Sequence, residues 1–109
     1  MNTRKKGTIA EKKACEFLKN KNFKIITTNF YTKFGEIDII AYKDGVFHFV
    51  EVKSGKNFEP IYNITPTKLN RIIKSVYLFL KLQRINSPFC IDAIIVKGEE
   101  MEFLENISF

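Results

Sequence analysis

Two acidic residues and a lysine, Asp38, Glu51 and Lys53, have the types and spacing that point most directly to chemistry. They lie in two segments rich in β-branched and aromatic residues, which are separated by Asp44-Gly45. Because Asp-Gly favours a two-residue type I′ turn, the sequence predicts a β-hairpin here. The register set by this turn places Asp38 directly opposite Glu51, and the alternation of side chains along a strand places Lys53 on the same face.

Two carboxylates in this position are an electrostatic problem. Cβ atoms of directly opposed strand residues are roughly 4.5–5.5 Å apart, and like charges there destabilise a sheet. The same alternation gives this face apolar neighbours, so it is expected to be partly dry. A cation must then bind between the carboxylates, or one of them must stay protonated. Mg²⁺ suits such a site because it binds carboxylate oxygens. The apolar neighbours are Ile40, Tyr42, Phe47 and Phe49.

The spacing resembles the core of the PD-(D/E)XK nuclease superfamily: an aspartate, twelve intervening positions, then Glu-Val-Lys. The chain as a whole is similar to the small bacterial YraN-like family, which is similar to Holliday junction resolvases and is grouped with endonucleases. The Glu-x-Lys core alone is a weak motif, but in order with Gly-Glu-Ile-Asp and a helix carrying Glu11 it is fairly specific. The matching positions are Gly7, Glu11, Ala14, Leu18, Asn29, 35–38, 49–53, 65–68, Arg71, Ile72, Asn106 and Phe109.

The resemblance implies metal-dependent hydrolysis of a phosphodiester bond, with Mg²⁺ or Mn²⁺ as cofactor. Asp38, Glu51 and the Val52 carbonyl are the expected ligands. Glu11 is expected to complete the site or to hold a second ion. From the residues alone, Glu11 is better explained as a solvated side chain at the edge of the apolar stripe of its helix, which is usual for a lone glutamate.

Lys53 is expected to orient the attacking water or to stabilise charge on the phosphate. Glu36 lies opposite Lys53 in the predicted register and is expected to position it. Candidate phosphate contacts are Lys56, in the loop after the hairpin, and Lys68 and Arg71, in the first turns of a predicted helix. Each of these three side chains could instead be an ordinary solvent-exposed charge without a phosphate contact, although Lys68 matches a lysine of the family.

The 109 residues predict a single domain, 1–109, and a hydrophobic content of 45% supports a globular core. Eighteen lysines and arginines against twelve acidic residues give a net charge of +6. This balance suits a polyanionic partner such as nucleic acid, but it also occurs as ordinary surface charge. The chain departs from the family at Gly55, where an arginine is usual, so one positive contact is missing.

Cys15 and Cys90 have no C-x-x-C spacing, and His48 is the single histidine, so a structural zinc site is not expected. Free thiols in apolar-patterned segments favour a reducing, cytoplasmic location. No signal peptide or membrane span is recognisable, and no membrane association is expected. Asp92 matches a family aspartate, but Cys90-Ile91 replace the usual Arg-Phe before it, and we interpret Asp92 as structural.

Periodicity and capping signals predict the order α-β-β-β-α-β-β. With the resemblance, this predicts an α/β fold with a restriction-endonuclease-like core, in which helices flank a mixed sheet of about five strands. Thr65-Pro66 reads as an N-cap followed by proline at the first helical position. Residues 1–6 are expected to form a flexible arm, and 54–64 a mobile loop. The predicted helices are 8–21 and 66–83, and the predicted strands are 23–30, 37–42, 46–52, 89–97 and 101–104.

Two functions other than catalysis stay open. The basic surface could serve a binding module for branched or single-stranded DNA with weak or no catalysis, and the carboxylate pair could be a cation-stabilised structural feature. No base-reading helix is recognisable, so recognition is expected to depend on nucleic-acid structure rather than on base sequence. The likeness to Holliday junction resolvases, which act as two-fold dimers, leaves a homodimer open.

Overall fold

The computed structural model of the chain describes residues 3–55 and 64–108, with side chains for 8–55 and 64–108. Lys56 and most of the loop predicted over 54–64 lie outside the described residues. The elements follow the predicted order α-β-β-β-α-β-β. They are α1 (Thr3–Asn20), β1 (Lys24–Thr32), β2 (Gly35–Lys43), β3 (Val46–Ser54), α2 (Pro66–Leu82), β4 (Phe89–Lys97) and β5 (Glu100–Leu104).

The five strands form one mixed sheet in the order β1-β2-β3-β4-β5. Neighbours pair antiparallel except β3 and β4, which are parallel and are joined by the crossover through α2. The mixed sheet of about five strands flanked by helices is therefore confirmed. Among the described residues, no helix has the length and apolar character needed to cross a membrane.

The hairpin turn has the conformation that its sequence predicts. Asp44 and Gly45 both have positive φ, at 50° and 83°, as a type I′ turn requires. The ladder that follows pairs Lys43 with Val46 and continues in register to Ile39 with Val50. It ends there, one position before the expected Asp38–Glu51 pair and well before the expected Glu36–Lys53 pair.

Each face of the sheet is covered by one helix. Ala14 and Leu18 of α1 pack with Ile39 and Val50 on one face, while Val76 and Phe79 of α2 pack with Ile40 and Phe49 on the other. These side chains are nearly or completely buried, so the two apolar layers hold the strands between the helices. The ends of β2 and β3 farthest from their turn are thereby placed close to the N-terminal half of both helices.

The first helix begins earlier than expected. It starts at Thr3, so the backbone of residues 3–6, expected to be a flexible arm, is helical. Arg4, Lys5 and Lys6 are good helix formers, and they outweigh the cost of Gly7, which is about 1 kcal/mol relative to alanine. The start of α2 agrees with the prediction, since the Thr65 side chain accepts the N–H of Lys68 at 3.1 Å and Pro66 follows it.

Candidate functional site

Asp38 lies where the regular pattern of the sheet is interrupted. Ile37 and Ile40, three residues apart, pack in the same α2-facing cluster, while Ile39 packs in the α1-facing one. Strict alternation would have put Ile37 and Ile39 together, so the regular alternation expected along this strand does not extend from Ile39 to Ile37. In the neighbouring strand, Asn29 lies between Thr28 and Phe30, which pair with Ile39 and Ile37, and it has a left-handed backbone with φ of 52°.

The Asp38 carboxylate contacts the neighbouring strand β3. Its Oδ2 accepts the backbone N–H of Val52 at 2.8 Å, a bond that replaces the ladder bond missing at this point. Its charge acts on the Glu51 carboxyl, to which it also hydrogen-bonds when one of the two is protonated. The two groups predicted to meet at this end of the hairpin are therefore in contact, although not as a regular cross-strand pair.

Glu51 is the most deeply buried member of the site. Its residue exposure is 5%, and its Oε2 atom has no hydrogen-bond partner among the described residues. The side chain contributes to the wall of a pocket of about 310 Å³ at the N-terminus of α2. A buried carboxylate oxygen without a partner is energetically costly, so this oxygen is the atom of the site that most needs a ligand. The pocket is lined by Phe34, Gly35, Glu36, Glu51, Thr65, Thr67, Lys68, Arg71 and Ile72.

A second pair of carboxylates lies on the α1 side of Asp38. Glu11 and Glu36 each offer an oxygen atom that lies, with one of Asp38, within a mutual distance of 4.8 Å. The Asn29 side-chain amide donates one hydrogen bond to Glu11 Oε1 and another to Glu36 Oε2, each of 2.8 Å. Glu11, placed at this site only through the family resemblance, therefore does face it, and Glu36 contacts Asn29.

Burial and mutual repulsion raise the pKa values of the two central carboxyls. Burial raises the pKa of Asp38 to about 6, with smaller raising effects from Glu11 and Glu36 and an opposing one from its bond with Val52. Burial raises the pKa of Glu51 to about 8, and the Asp38 charge adds to the effect. At neutral pH without a cation, the pair therefore holds a proton mainly on Glu51.

Basic residues border the carboxylates as the sequence predicted. The Lys68 charge lowers the pKa of both Asp38 and Glu51, and the Lys53 charge lowers that of Glu51. Lys68 and Arg71 lie exposed on the first turns of α2, at the wall of the pocket that contains Glu51. Lys53 is half-buried on β3 and Val52 precedes it, whereas Lys56 lies outside the described residues.

Sequence patterns predicted no role for Asn29, although it is part of this site. It belongs to the resemblance, but an asparagine within a strand is weak evidence for a function. Its two amide hydrogens form a neutral bridge between two carboxylates, and its own backbone is left-handed. Asparagine adopts a left-handed backbone more readily than most residues. It therefore meets both requirements of this position, the positive φ and the two side-chain hydrogen-bond donors.

We expect Asn29→Asp to lower the free energy of unfolding by about 2 kcal/mol or more at pH 8. The change keeps the size and backbone preference but replaces two hydrogen-bond donors by a further carboxylate. For a domain of this size, the melting temperature should fall by roughly 10 °C. Thermal unfolding in the presence of a chelator measures the effect.

Asn22→Asp is the matched control, because Asn22 also has a left-handed backbone, with φ of 69°, but lies exposed between α1 and β1. It should change the melting temperature by less than a few degrees. Equal destabilisation by the two variants would mean that the Asn29 bridge carries no particular weight.

Comparison with known proteins identifies relatives over nearly the whole chain. Residues 10–96 match the uncharacterised protein family UPF0102. The UPF0102 protein WS0451 of Wolinella succinogenes is 61% identical over 106 residues, covering 97% of this chain and 98% of the relative. The UPF0102 protein HPAG1_0809 of Helicobacter pylori is 58% identical, covering 97% and 93%, and a UPF0102 protein of Helicobacter hepaticus is 52% identical, covering 99% and 98%. The chain therefore belongs to UPF0102, the YraN-like family that its motifs resemble.

Proposed function

We propose that the protein is a metal-dependent phosphodiester hydrolase that acts on nucleic acid. The observation that carries the proposal is the Glu51 Oε2 atom, which has no hydrogen-bond partner in the described part of the chain. It is buried beside the Asp38 carboxyl in the wall of a pocket that also contains Lys68 and Arg71. Carboxylates that perturb each other's pKa values in a cleft are typical of functional sites.

The donor set fits a hard divalent cation such as Mg²⁺ or Mn²⁺. Asp38 and Glu51 would hold it, with the Val52 carbonyl as a further oxygen ligand and Glu11 and Glu36 beside Asp38. These groups are oxygen donors, the kind that both ions prefer. A bound divalent ion supplies polarisation of the phosphate and a lowered pKa for its coordinated water.

The chain's own basic groups supply the remaining requirements. Lys68 and Arg71 bind the phosphates that flank the reacting bond, since both are exposed on the rim of the carboxylate pocket. Lys53, whose charge acts on Glu51, orients the attacking water or stabilises the negative charge that develops on the phosphate. Burial of Glu51 excludes water from the inner wall and strengthens each of these interactions.

The testing experiment is a substrate panel with purified protein. Labelled four-way junctions, flaps, single strands and linear duplexes are incubated with Mg²⁺ or Mn²⁺. We expect cleavage of at least one branched or single-stranded substrate and none with a chelator. Salt-sensitive binding without products on any substrate would favour the alternative, a non-catalytic DNA-binding module, and absence of both binding and products would refute both functions.

We expect Lys68→Ala to weaken DNA binding several-fold in low-salt buffer containing Ca²⁺ in place of Mg²⁺. If Lys68 contacts one phosphate, the slope of log affinity against log salt should fall by about 0.9. Fluorescence anisotropy across a salt series measures both quantities.

Lys81→Ala provides the comparison for this helix, because Lys81 carries the same charge in the last turn of α2 and is exposed. It should leave the affinity and the slope nearly unchanged. Equal losses from both variants would assign the effect to net charge rather than to a phosphate contact at the pocket.

A further inference from the structure

A second cluster of chemically active side chains lies on the α1-facing side of the sheet, away from the acidic site. The parallel pairing of β3 and β4 places His48 directly beside Cys90, and Asp92 follows two residues later on the same face. His48 Nδ1 is 2.6 Å from Asp92 Oδ2 and 3.1 Å from Cys90 Sγ. These three potential ligand atoms converge on one point, with all mutual distances below 4.8 Å.

Neighbouring groups fix the orientation of these side chains. Asp92 is completely buried, and its other oxygen, Oδ1, accepts the backbone N–H of Asn106 at 2.8 Å. The Phe23 ring meets the His48 ring edge-on, with centroids 4.9 Å apart. Such contacts to residues outside the cluster hold metal-binding side chains in place in many proteins.

The cluster is also accessible. His48 and Cys90 line an open pocket of about 1000 Å³ between the end of α1, the hairpin turn and β5. A solute can therefore reach the point on which the three side chains converge, even though Asp92 itself is buried. The pocket is distinct from the one that contains Glu51, and within residues 8–55 and 64–108 the two have no lining residue in common.

We propose that His48, Cys90 and Asp92 bind a divalent transition-metal ion of the zinc class, with one coordination position left open toward the pocket. Tetrahedral geometry with zinc–sulfur and zinc–nitrogen distances of about 2.3 and 2.0–2.1 Å requires Sγ and Nδ1 to be about 3.6 Å apart, and nitrogen and oxygen about 3.3 Å. To reach these values, Sγ and Nδ1 need to separate by about 0.5 Å from their 3.1 Å distance, and Nδ1 and Oδ2 by about 0.7 Å from their 2.6 Å distance. Rotation of the side chains is sufficient for such a shift.

The ligand types select the class of ion. One sulfur and one imidazole nitrogen favour zinc, cobalt or copper over Mg²⁺, which prefers oxygen. On binding, the Cys90 S–H bond breaks, the metal–sulfur bond forms and the thiol proton leaves to solvent. The imidazole proton that His48 Nδ1 donates to Asp92 Oδ2 moves to Nε2, so that the Nδ1 lone pair can bind the metal. The thiolate and the Asp92 carboxylate then balance the two positive charges of the ion within the buried face. Burial and the Asp92 charge raise the pKa of the Cys90 thiol to about 12 in the metal-free protein, so the ion must displace this proton.

This proposal differs from a structural zinc site. Such a site requires four protein ligands, and it is not expected here because the sequence has no C-x-x-C spacing and a single histidine. Chain spacing could not reveal a three-ligand site, because His48 and Cys90 become neighbours only through the parallel pairing of distant strands.

The experiment is a titration of full-length, reduced, chelator-treated protein with Co²⁺ in excess Mg²⁺, which occupies the acidic site. We expect one equivalent of Co²⁺ to bind with a thiolate-to-cobalt charge-transfer band, and Zn²⁺ to remove the band. Cys90→Ser should abolish the band and His48→Gln should weaken Co²⁺ binding at least tenfold. Cys15→Ser, which changes the other half-buried thiol, should leave the band intact.

A folded wild-type protein without the band, or a band lost in Cys15→Ser and kept in Cys90→Ser, would overturn the proposal. If the Cys90 or His48 variant fails to fold, alkylation of the wild-type protein decides. Zn²⁺ should slow alkylation of Cys90 at least tenfold, with Cys15 as the internal reference in the same mass spectrum. Equal alkylation of Cys90 with and without Zn²⁺ would reject the site. None of these outcomes depends on nuclease activity.

Discussion

Replacement of Asp38 by asparagine is expected to lower metal-dependent cleavage by about 10³-fold or more. Binding of the divalent ion contributes several kcal/mol to such a reaction, and each 1.4 kcal/mol is a factor of ten in rate. Asparagine keeps the size of the side chain, and its Oδ1 can still accept the Val52 N–H. The fold should therefore persist, with a melting temperature equal to that of the wild type or higher, because one buried carboxyl is removed.

The measurement is the single-turnover rate on the best substrate of the panel, together with affinity for the same substrate in chelator. Asp44→Asn is the matched control. Asp44 is exposed at the turn of the same hairpin, and asparagine before glycine also favours a type I′ turn. This control should keep the wild-type rate. Undiminished cleavage by Asp38→Asn would refute the assignment of Asp38 as a metal ligand.

Local sequence signals were sufficient to predict most of the scaffold. Asp44-Gly45 specified the turn and register of the hairpin, because few other dipeptides favour positive φ at both central positions. Thr65-Pro66 specified the start of α2 through a hydroxyl that caps the helix and a ring that suits its first turn. A helix between two strands then required a crossover and a mixed sheet.

The details of the acidic site depend on contacts that no local pattern encodes. Alternation predicted a regular cross-strand pair of Asp38 and Glu51, but the ladder between β2 and β3 ends at Ile39 and Val50, and Asp38 instead accepts the Val52 N–H. The bridge from Asn29 to Glu11 and Glu36 joins a helix and two strands, so it exists only in the folded chain. Periodicity placed Glu11 beside the apolar stripe of its helix, and only packing of that helix on the sheet could show which group it meets.

The same limit applies to the second cluster. His48 lies in one strand and Cys90 in another, and the sequence between them contains the whole crossover helix. The sequence predicted each strand and the crossover, but not the register of the parallel pair, because parallel strands lack a turn that sets it. Asp92, interpreted as structural, does hold Asn106, and we propose that it also binds a metal ion.

The stability of the metal-free protein is expected to fall as pH rises from about 5 to about 8.5. The folded state raises the pKa of Glu51 from 4.5 to about 8 and that of Asp38 from 3.8 to about 6. The folded protein therefore binds more protons than the unfolded chain in this range, and the free energy of unfolding decreases with pH. The loss is on the order of a few kcal/mol, since each unit of pKa difference corresponds to about 1.4 kcal/mol.

Glu51→Gln should remove most of this dependence, because glutamine stays neutral. The variant should melt above the wild type at pH 8.5 and close to it at pH 5. Glu99→Gln is the control, since Glu99 is 90% exposed, and it should keep the wild-type slope. If the melting temperature of the wild type rose from pH 5 to pH 8.5 in parallel with that of Glu51→Gln, the buried carboxyl pair would not be the cause of a pH-dependent loss of stability.

Mg²⁺ or Mn²⁺ should counteract the loss of stability that the metal-free protein shows as pH rises. A divalent ion binds the deprotonated pair, so it should raise the melting temperature of the wild type at pH 8.5 and much less at pH 5. At a concentration 100 times the dissociation constant, the stabilisation is about 2.7 kcal/mol. The Glu51→Gln variant should lose most of this stabilisation by the ion, and the Glu99→Gln variant should keep all of it. Equal increases in melting temperature for the wild type and both variants would mean that the ion binds elsewhere on the protein and that the carboxyl pair does not bind it.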